Sequence, residues 1–402
     1  MNSFLFLCKF SFRNLKRNII RSIILILSLV FATSYMIFDL NFAESGSREI
    51  VKELLNQYFG RLQITHQNYY SKDDTKSFNV YKTVNQHDPL FKDIPLLTPR
   101  VTLPVLISGL RKTQGVLMVG INPDREKQLT KLRSSIKEGS YFTSSSAKEL
   151  IIGKKIAIKI GVSIGDEIGL VGQALDGSLA NDIFKLVGII DFGGGDLEDA
   201  LCFSPLMAAQ DFAVIAHDQV HQMVDFNTSS DELYQVSGYS VSPWQKILPE
   251  ISVSIKFIDY FTWIVSIIIV TVISLGLSNT LMISFLEREK ELNALNVIGA
   301  SPRWISLSLF LEVIILGTIG VFFGLILGHF ITQYFQVHPI NIEIFTGGKP
   351  IILGGMTIIP LVRLYPVAKY YWQSPLVIYF FLILAVIYPI WKINYRRSKN
   401  VD

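Results

Sequence analysis

Four apolar stretches constrain this chain more than any other feature: Ser22–Phe38, Tyr260–Leu286, 304–335 and Pro375–Trp391. A helix that crosses a bilayer needs about 20 mostly apolar residues, and each stretch meets or approaches that length. Half of the 402 residues are hydrophobic and 17 % are charged, against about 25 % in an ordinary soluble domain. A soluble enzyme, a disordered chain and a disulfide-stapled secreted module are excluded together. Cys8 and Cys202 are the two cysteines, and the topology below puts them on opposite sides of the membrane. The net charge of +4, with no dense basic stripe away from the membrane flanks, gives no case for nucleic acid.

Basic residues orient the spans. Lys9, Arg13, Lys16, Arg17 and Arg21 precede the first; Arg288, Lys290 and Arg303 lie between the second and third; Lys392, Arg396, Arg397 and Lys399 follow the fourth. With four spans these regions share one side, the cytoplasm. Residues 39–259 and the loop 336–374 then lie outside. The basic lead-in is long for a cleaved signal, so residues 22–38 read as an anchor. Residues 1–21 read as an amphipathic helix on the inner surface, and 392–402 as a cytoplasmic tail. The apolar piece 351–362 is too short to cross and is broken by Gly354, Gly355 and Pro360; it reads as re-entrant or interfacial.

The outer segment is long enough for a real core. Helical spacing runs from Glu49 to Phe59. Short β-branched runs at Leu62–Ile64, Val101–Ser108, Val116–Ile121, Ile168–Val171 and Phe184–Ile190 read as strands. Glu149–Gly161 reads as a strand turning into a helix, Ser204–Phe212 as a helix, and Tyr69–Lys76 as a polar loop. The fold class is four transmembrane α-helices with a large α+β extracytoplasmic domain, in two subdomains, inserted between helices one and two.

Enzyme chemistry finds no support. No phosphate-binding loop, H-E-x-x-H or G-x-S-x-G is present. Gly193-Gly194-Gly195-Asp196 reads as a tight turn. His217 and His221, four apart, read as a solvated pair, since no cysteine or carboxylate completes a metal site. The third span carries the sharpest local pattern: Gly320, Gly324 and Gly328 recur every four residues, with Gly317 just before. That spacing makes a smooth strip on which a second helix can pack closely. Glu312, earlier on the same span, is an acid near the inner interface. Water or Arg303 is its plain solvation, and a proton or substrate route the sharper alternative.

Asn279-Thr280-Leu281-Met282, then Phe285 to Gly328 with its E-R-x-x-E helix, G-A-S turn and glycine-striped span, resembles the core signature of FtsX/MacB-like ABC transporter permeases. Residues 149–212 are similar to that family's outer domain. The resemblance implies a chain that hydrolyses nothing itself, ATP and magnesium being bound by a separate, dimeric ABC ATPase. It implies that Glu287, Arg288, Lys290 and Glu291, with Asn296, Gly299, Ala300 and Ser301, form the coupling segment 287–303 that docks on the ATPase. Asn296 departs from the family's usual basic residue, and the Pro-x-Glu tail is missing. Implied partners are a second permease copy, identical or related, and a periplasmic adaptor or lipoprotein, at the bacterial inner membrane. The implied function is export or extraction of a substrate at the outer face. A lipoprotein-releasing permease of the LolC/LolE type is the first alternative. A signalling or cell-wall-hydrolase-regulating membrane protein is the second.

Overall fold

The computed structural model describes residues 19–70, 79–92, 94, 96–191, 197–226, 236–287, 291, 294, 301–343, 347, 351–353, 356–358 and 361–399. Its contacts divide the chain into two compact units. A helical unit takes Met1–Ser47, Lys256–Ile340 and Leu361–Asp402; a sheet unit takes Arg48–Ile255 and Asn341–Pro360.

Four helices are long and apolar enough to cross a membrane. They are α1 (Ile19–Leu54), α5 (Pro249–Glu287), α6 (Pro302–Val337) and α7 (Ala368–Lys399). Each outruns the apolar stretch that announces it, because once a turn is nucleated each further residue adds a backbone hydrogen bond that offsets its lost entropy, in polar sequence as in apolar. The helical unit buries one apolar stripe per helix, with Leu29, Met36, Leu277, Leu309, Leu316 and Leu382 in a shared core. Its other faces expose large apolar side chains, Ile264, Val272, Phe323 and Phe380 among them, the pattern of helices whose solvent is lipid.

In the sheet unit, α1 passes into a π-helical turn, Leu55–Phe59, that ends at Gly60. Gly60 has φ +66°, and a Cβ there would sit 2.3 Å from Val224 Cγ1, so only glycine permits the turn. A ten-stranded sheet follows. Its strands are β1 (Leu62–His66), β2 (Leu97–Ser108), β3 (Thr113–Ile121), β4 (Ile136–Gly139), β5 (Glu149–Gly153), β6 (Glu167–Gln173), β7 (Leu179–Ile190), β8 (Leu201–Pro205), β9 (Gln222–Asp225) and β10 (Tyr239–Pro243). The order is β10-β1-β9-β2-β3-β8-β5-β7-β4, with β6 paired to both β2 and β7. Strands β2, β3, β8, β5, β7 and β6 therefore close into a ring. Alternate side chains fill it: Ile107, Met118, Ile152, Leu170, Phe184 and Cys202 are all fully buried. A second cluster, around Tyr58, Val119, Ile151 and Phe203, covers the other face. Two short helices, α3 (Lys154–Ile160) and α4 (Leu206–Phe212), pack on the sheet, and a third, α2 (Pro123–Leu129), is tied to it by Glu126, which accepts from Thr98 and Arg100.

Several expectations change. The two subdomains expected of this segment share one sheet, because β1 and β9 join strands from the beginning and end of the segment to β2. Ser204 belongs to β8 rather than to a helix, and Pro205 caps α4. Tyr69 is not solvated loop: it is buried and donates to Thr102 Oγ1 at 3.2 Å. The 351–362 piece contains an antiparallel hairpin, Ile351–Leu353 on Met356–Ile358. Gly354, Gly355 and Pro360 lie outside the described residues.

Candidate functional site

The coupling segment begins where α5 ends. Glu287 is the last residue of α5, and its carboxylate pairs with the Arg21 guanidinium near the start of α1. Arg21 is about one third exposed and Glu287 half exposed. Glu291 is exposed. Ser301 is the N-cap of α6: its hydroxyl accepts from the Trp304 amide at 3.3 Å, with Pro302 at the first helical position. Serine there satisfies an amide that the helix leaves orphaned. Arg288, Lys290, Asn296, Gly299 and Ala300 lie outside the described residues, as do Gly193, Gly194, Gly195 and residues 1–18 of the N-terminal amphipathic stretch.

The glycines of α6 face two different helices. A Cβ on Gly320 would lie 2.5 Å from Leu29 Cβ and 3.3 Å from the Ile26 carbonyl. On Gly324 it would lie 2.6 Å from Thr33 Cβ and 3.0 Å from the Val30 carbonyl; on Gly328, 3.1 Å from Ile37 Cβ. Leu29, Thr33 and Ile37 are themselves four apart on α1, so two four-residue ridges interlock. Gly317 stands off this line, and a Cβ there would lie 2.5 Å from Leu382 Cδ2 of α7. The buried hydroxyls at the seam are satisfied within their own helices, Thr33 to the Leu29 carbonyl and Thr332 to the Gly328 carbonyl, both at 2.8 Å. Glu312 is buried in the helical unit, at 9 % exposure.

Polar links that the sequence did not announce tie the helices further. Ser274 donates to the Phe381 carbonyl and Ser278 to the Ala385 carbonyl, each at 2.9 Å, joining α5 to α7 across 107 residues. These bonds floor a cleft of about 590 Å³ between the two helices. At the other end of α1, Asn41 and Ser45 accept from the amides of Val367 and Tyr365, both at 2.9 Å. Glu44 takes the Lys369 ammonium and the Tyr370 hydroxyl at 3.0 Å. Asp39 accepts from Ser266 at 2.7 Å. The only signal of these pairs in one sequence is a small polar residue recurring every four positions, as in Ser274 and Ser278. That spacing names a face without naming its partner.

In the sheet unit the end of α1 is gripped by a buried cation. Arg100, on β2, is fully buried. Its Nε and Nη2 donate to the two oxygens of Glu126 on α2, at 2.6 and 2.9 Å, and Nη1 donates to the Tyr58 carbonyl at 2.6 Å. The guanidinium lies over the Tyr58 ring, 4.6 Å from its centroid. Lys131 pairs with Glu53, and its amide donates to the Asn56 carbonyl. Leu54 packs on Ile251 near the start of α5, flanked by Ile50, Leu248 and Ile255.

The two histidines part company. His217 sits on an exposed turn beside Asp211, at 2.8 Å. His221 is fully buried rather than solvated. Its Nδ1 accepts from the Thr102 amide at 2.9 Å, and Nε2 faces the Val80 carbonyl at 2.8 Å. The proton therefore sits on Nε2 and the ring is neutral. Burial pushes its pKa down to about 4. Burial also pushes the Cys202 thiol up, which makes it a poor nucleophile. Among the described residues, no three or more His, Cys, Asp or Glu side chains are placed to hold a metal.

Comparisons place part of this architecture. Residues 263–397 match the family model described as the FtsX-like permease C-terminal domain. The match takes in most of α5, all of α6 and nearly all of α7, and leaves α1 and the sheet outside it. The crystal structure of the extracellular domain of the noncanonic ABC-type transporter YknZ from Gram-positive bacteria is similar at 13 % identity. It covers 42 % of this chain and 84 % of that one, with a TM-score of 0.30. No curated protein matches the chain.

Proposed function

We propose that the chain is the permease subunit of a MacB-type ABC transporter, driven by an ATPase it does not contain. The observation that carries this is the match of residues 263–397 to the FtsX-like permease domain, over the region that holds the α5 terminus, the coupling segment and the α6 glycines. In this reading ATP and magnesium bind the partner ATPase, and the segment 287–303 meets it. Two permease copies work together in the inner membrane. Closure of the ATPase moves the inner ends of α5 and α6. The tight α1–α6 seam carries that displacement to α1, because interlocked ridges at van der Waals contact cannot slide without separating. The last turn of α1 and the π-helical turn that continues it are bonded to β2 through Arg100 and to the chain just past α2 through Lys131, so the sheet unit, placed outside the cytoplasm, is the moving part that acts on substrate.

The test uses the full chain. It is co-expressed with each ABC ATPase of the source genome in turn, purified in detergent and returned to lipid nanodiscs. The two subunits should co-elute, and ATP hydrolysis with magnesium should change when the permease is present. Separate elution, with hydrolysis indifferent to the permease, would end this reading. A gene for an adaptor or a lipoprotein in the same cluster decides between export and lipoprotein release.

A further inference from the structure

The Arg21–Glu287 pair makes a claim about how motion leaves the coupling segment. Helices α1 and α5 run in opposite directions. They are bonded at the inner end by Arg21 to Glu287 and at the outer end by Ser266 to Asp39. At 1.5 Å per residue, Arg21 to Asp39 spans about 27 Å and Ser266 to Glu287 about 31 Å. Both are close to the thickness of the hydrocarbon layer. The ion pair therefore falls at the inner interface, where water is scarcer than in bulk and a charge pair is held more strongly than at an aqueous surface. Arginine suits that position, since it stays charged at every accessible pH and its planar fork holds a carboxylate in fixed geometry.

We propose that Arg21 is a positioning residue for coupling. It holds the carboxylate at the junction of α5 and the segment 287–303, so that displacement of that segment is delivered directly to α1 as well as to α5. This rests on the functional reading above and refines it. Of the charged cluster at the end of α5, Glu287 is the latch, engaged by Arg21, and Glu291 is exposed. The seam of α6 glycines then acts on a helix already held at its inner end.

The experiment is a charge-reversal cycle in the full chain: Arg21→Glu, Glu287→Arg and both together, each assembled with the ATPase. The single reversals should still co-elute with the ATPase but lose the permease-dependent change in ATP hydrolysis. The double swap should recover it. A structural contact without a coupling role would leave hydrolysis unmoved in all three. Arg21→Gln with Glu287→Gln removes the charges without creating repulsion, and should lose the hydrolysis response even if a reversal fails to insert. Thermal unfolding of the same variants in detergent, without ATPase, reads the pair independently. Each reversal should lower the midpoint and the swap should restore it. Full hydrolysis response in Arg21→Glu, or additive midpoints with no recovery in the swap, overturns the proposal. A parent chain to which no ATPase responds refutes the functional reading and the coupling role together, and the unfolding cycle shows separately whether the ion pair forms.

Discussion

Removing the carboxylate of Glu126 isolates a buried charge at the place where α1 is anchored. Glu126 is 1 % exposed and Arg100 fully buried. In Glu126→Ala the guanidinium keeps one bond, to the Tyr58 carbonyl, and loses both bonds to carboxylate oxygen. Thr98 loses its acceptor as well. Breaking a buried pair by deleting one partner costs about 3–5 kcal/mol. For a unit of this size each kcal/mol lowers the melting midpoint by about 2–4 °C, giving a fall of roughly 6 to 20 °C. Replacing both partners by apolar groups, Arg100→Met with Glu126→Leu, leaves no orphan charge. It unpairs the Tyr58 carbonyl and the Thr98 hydroxyl, at about 1–3 kcal/mol each. The double variant should therefore be markedly less destabilised than the sum of Arg100→Met and Glu126→Leu. Thermal unfolding of the full chain in detergent, with hydrogen exchange read on peptides from β2 and α2, measures the cycle. A Glu126→Ala midpoint within about 2 °C of the parent, or strictly additive single variants, would refute the claim that this pair anchors the end of α1.

Gly324→Leu should prevent the close approach of α1 and α6 and abolish assembly or coupling. Gly276→Ala on α5, where an added Cβ meets nothing within 4 Å, should be neutral or slightly stabilising by about 0.5–1 kcal/mol; equal behaviour of the two variants in detergent stability would dissolve the distinction. His221 makes stability fall on acidification. With a folded pKa of about 4 against an ordinary 6.5, the unfolded chain takes up the proton first, so its contribution is complete above about pH 6.5 and lost as pH falls towards 4. The loss totals about 3 kcal/mol, and His221→Gln should flatten that part of a pH-dependent unfolding curve; an unchanged slope would clear His221 of the effect. Alkaline phosphatase fused at Gln173, where β6 ends on an exposed turn, should be active. A silent phosphatase beside an active cytoplasmic reporter at the same site would invert the topology.

What one sequence conveys and what it withholds follow from the range of the interactions involved. The four spans are written in runs of neighbouring residues, and so are strands such as β3, β5 and β7, whose β-branched runs are local. The α6 glycines likewise announce a smooth strip by their period. That the strip meets Leu29, Thr33 and Ile37 depends on nearly 300 intervening residues folding back, and no local pattern encodes it. The same holds for Arg100 and Glu126. An arginine inside the apolar run Leu97–Ser108 is an anomaly that can be seen, but its partner lies on a helix beyond another strand. The helices run past the apolar spans because hydropathy marks where lipid begins, whereas hydrogen bonding and caps mark where a helix stops. Solvation of His221 was misjudged for a related reason: two histidines four apart look alike in sequence, and only the strand beside Thr102 separates them.

Strands β1 and β10 are direct neighbours, paired from Leu62 with Pro243 to His66 with Tyr239. The chain thus enters and leaves the sheet through one doorway two strands wide, and everything from residue 67 to 238 is built behind it. Lengthening a turn within that material, such as 174–178 between β6 and β7, leaves the threshold unchanged, provided β1 keeps its register with both β9 and β10.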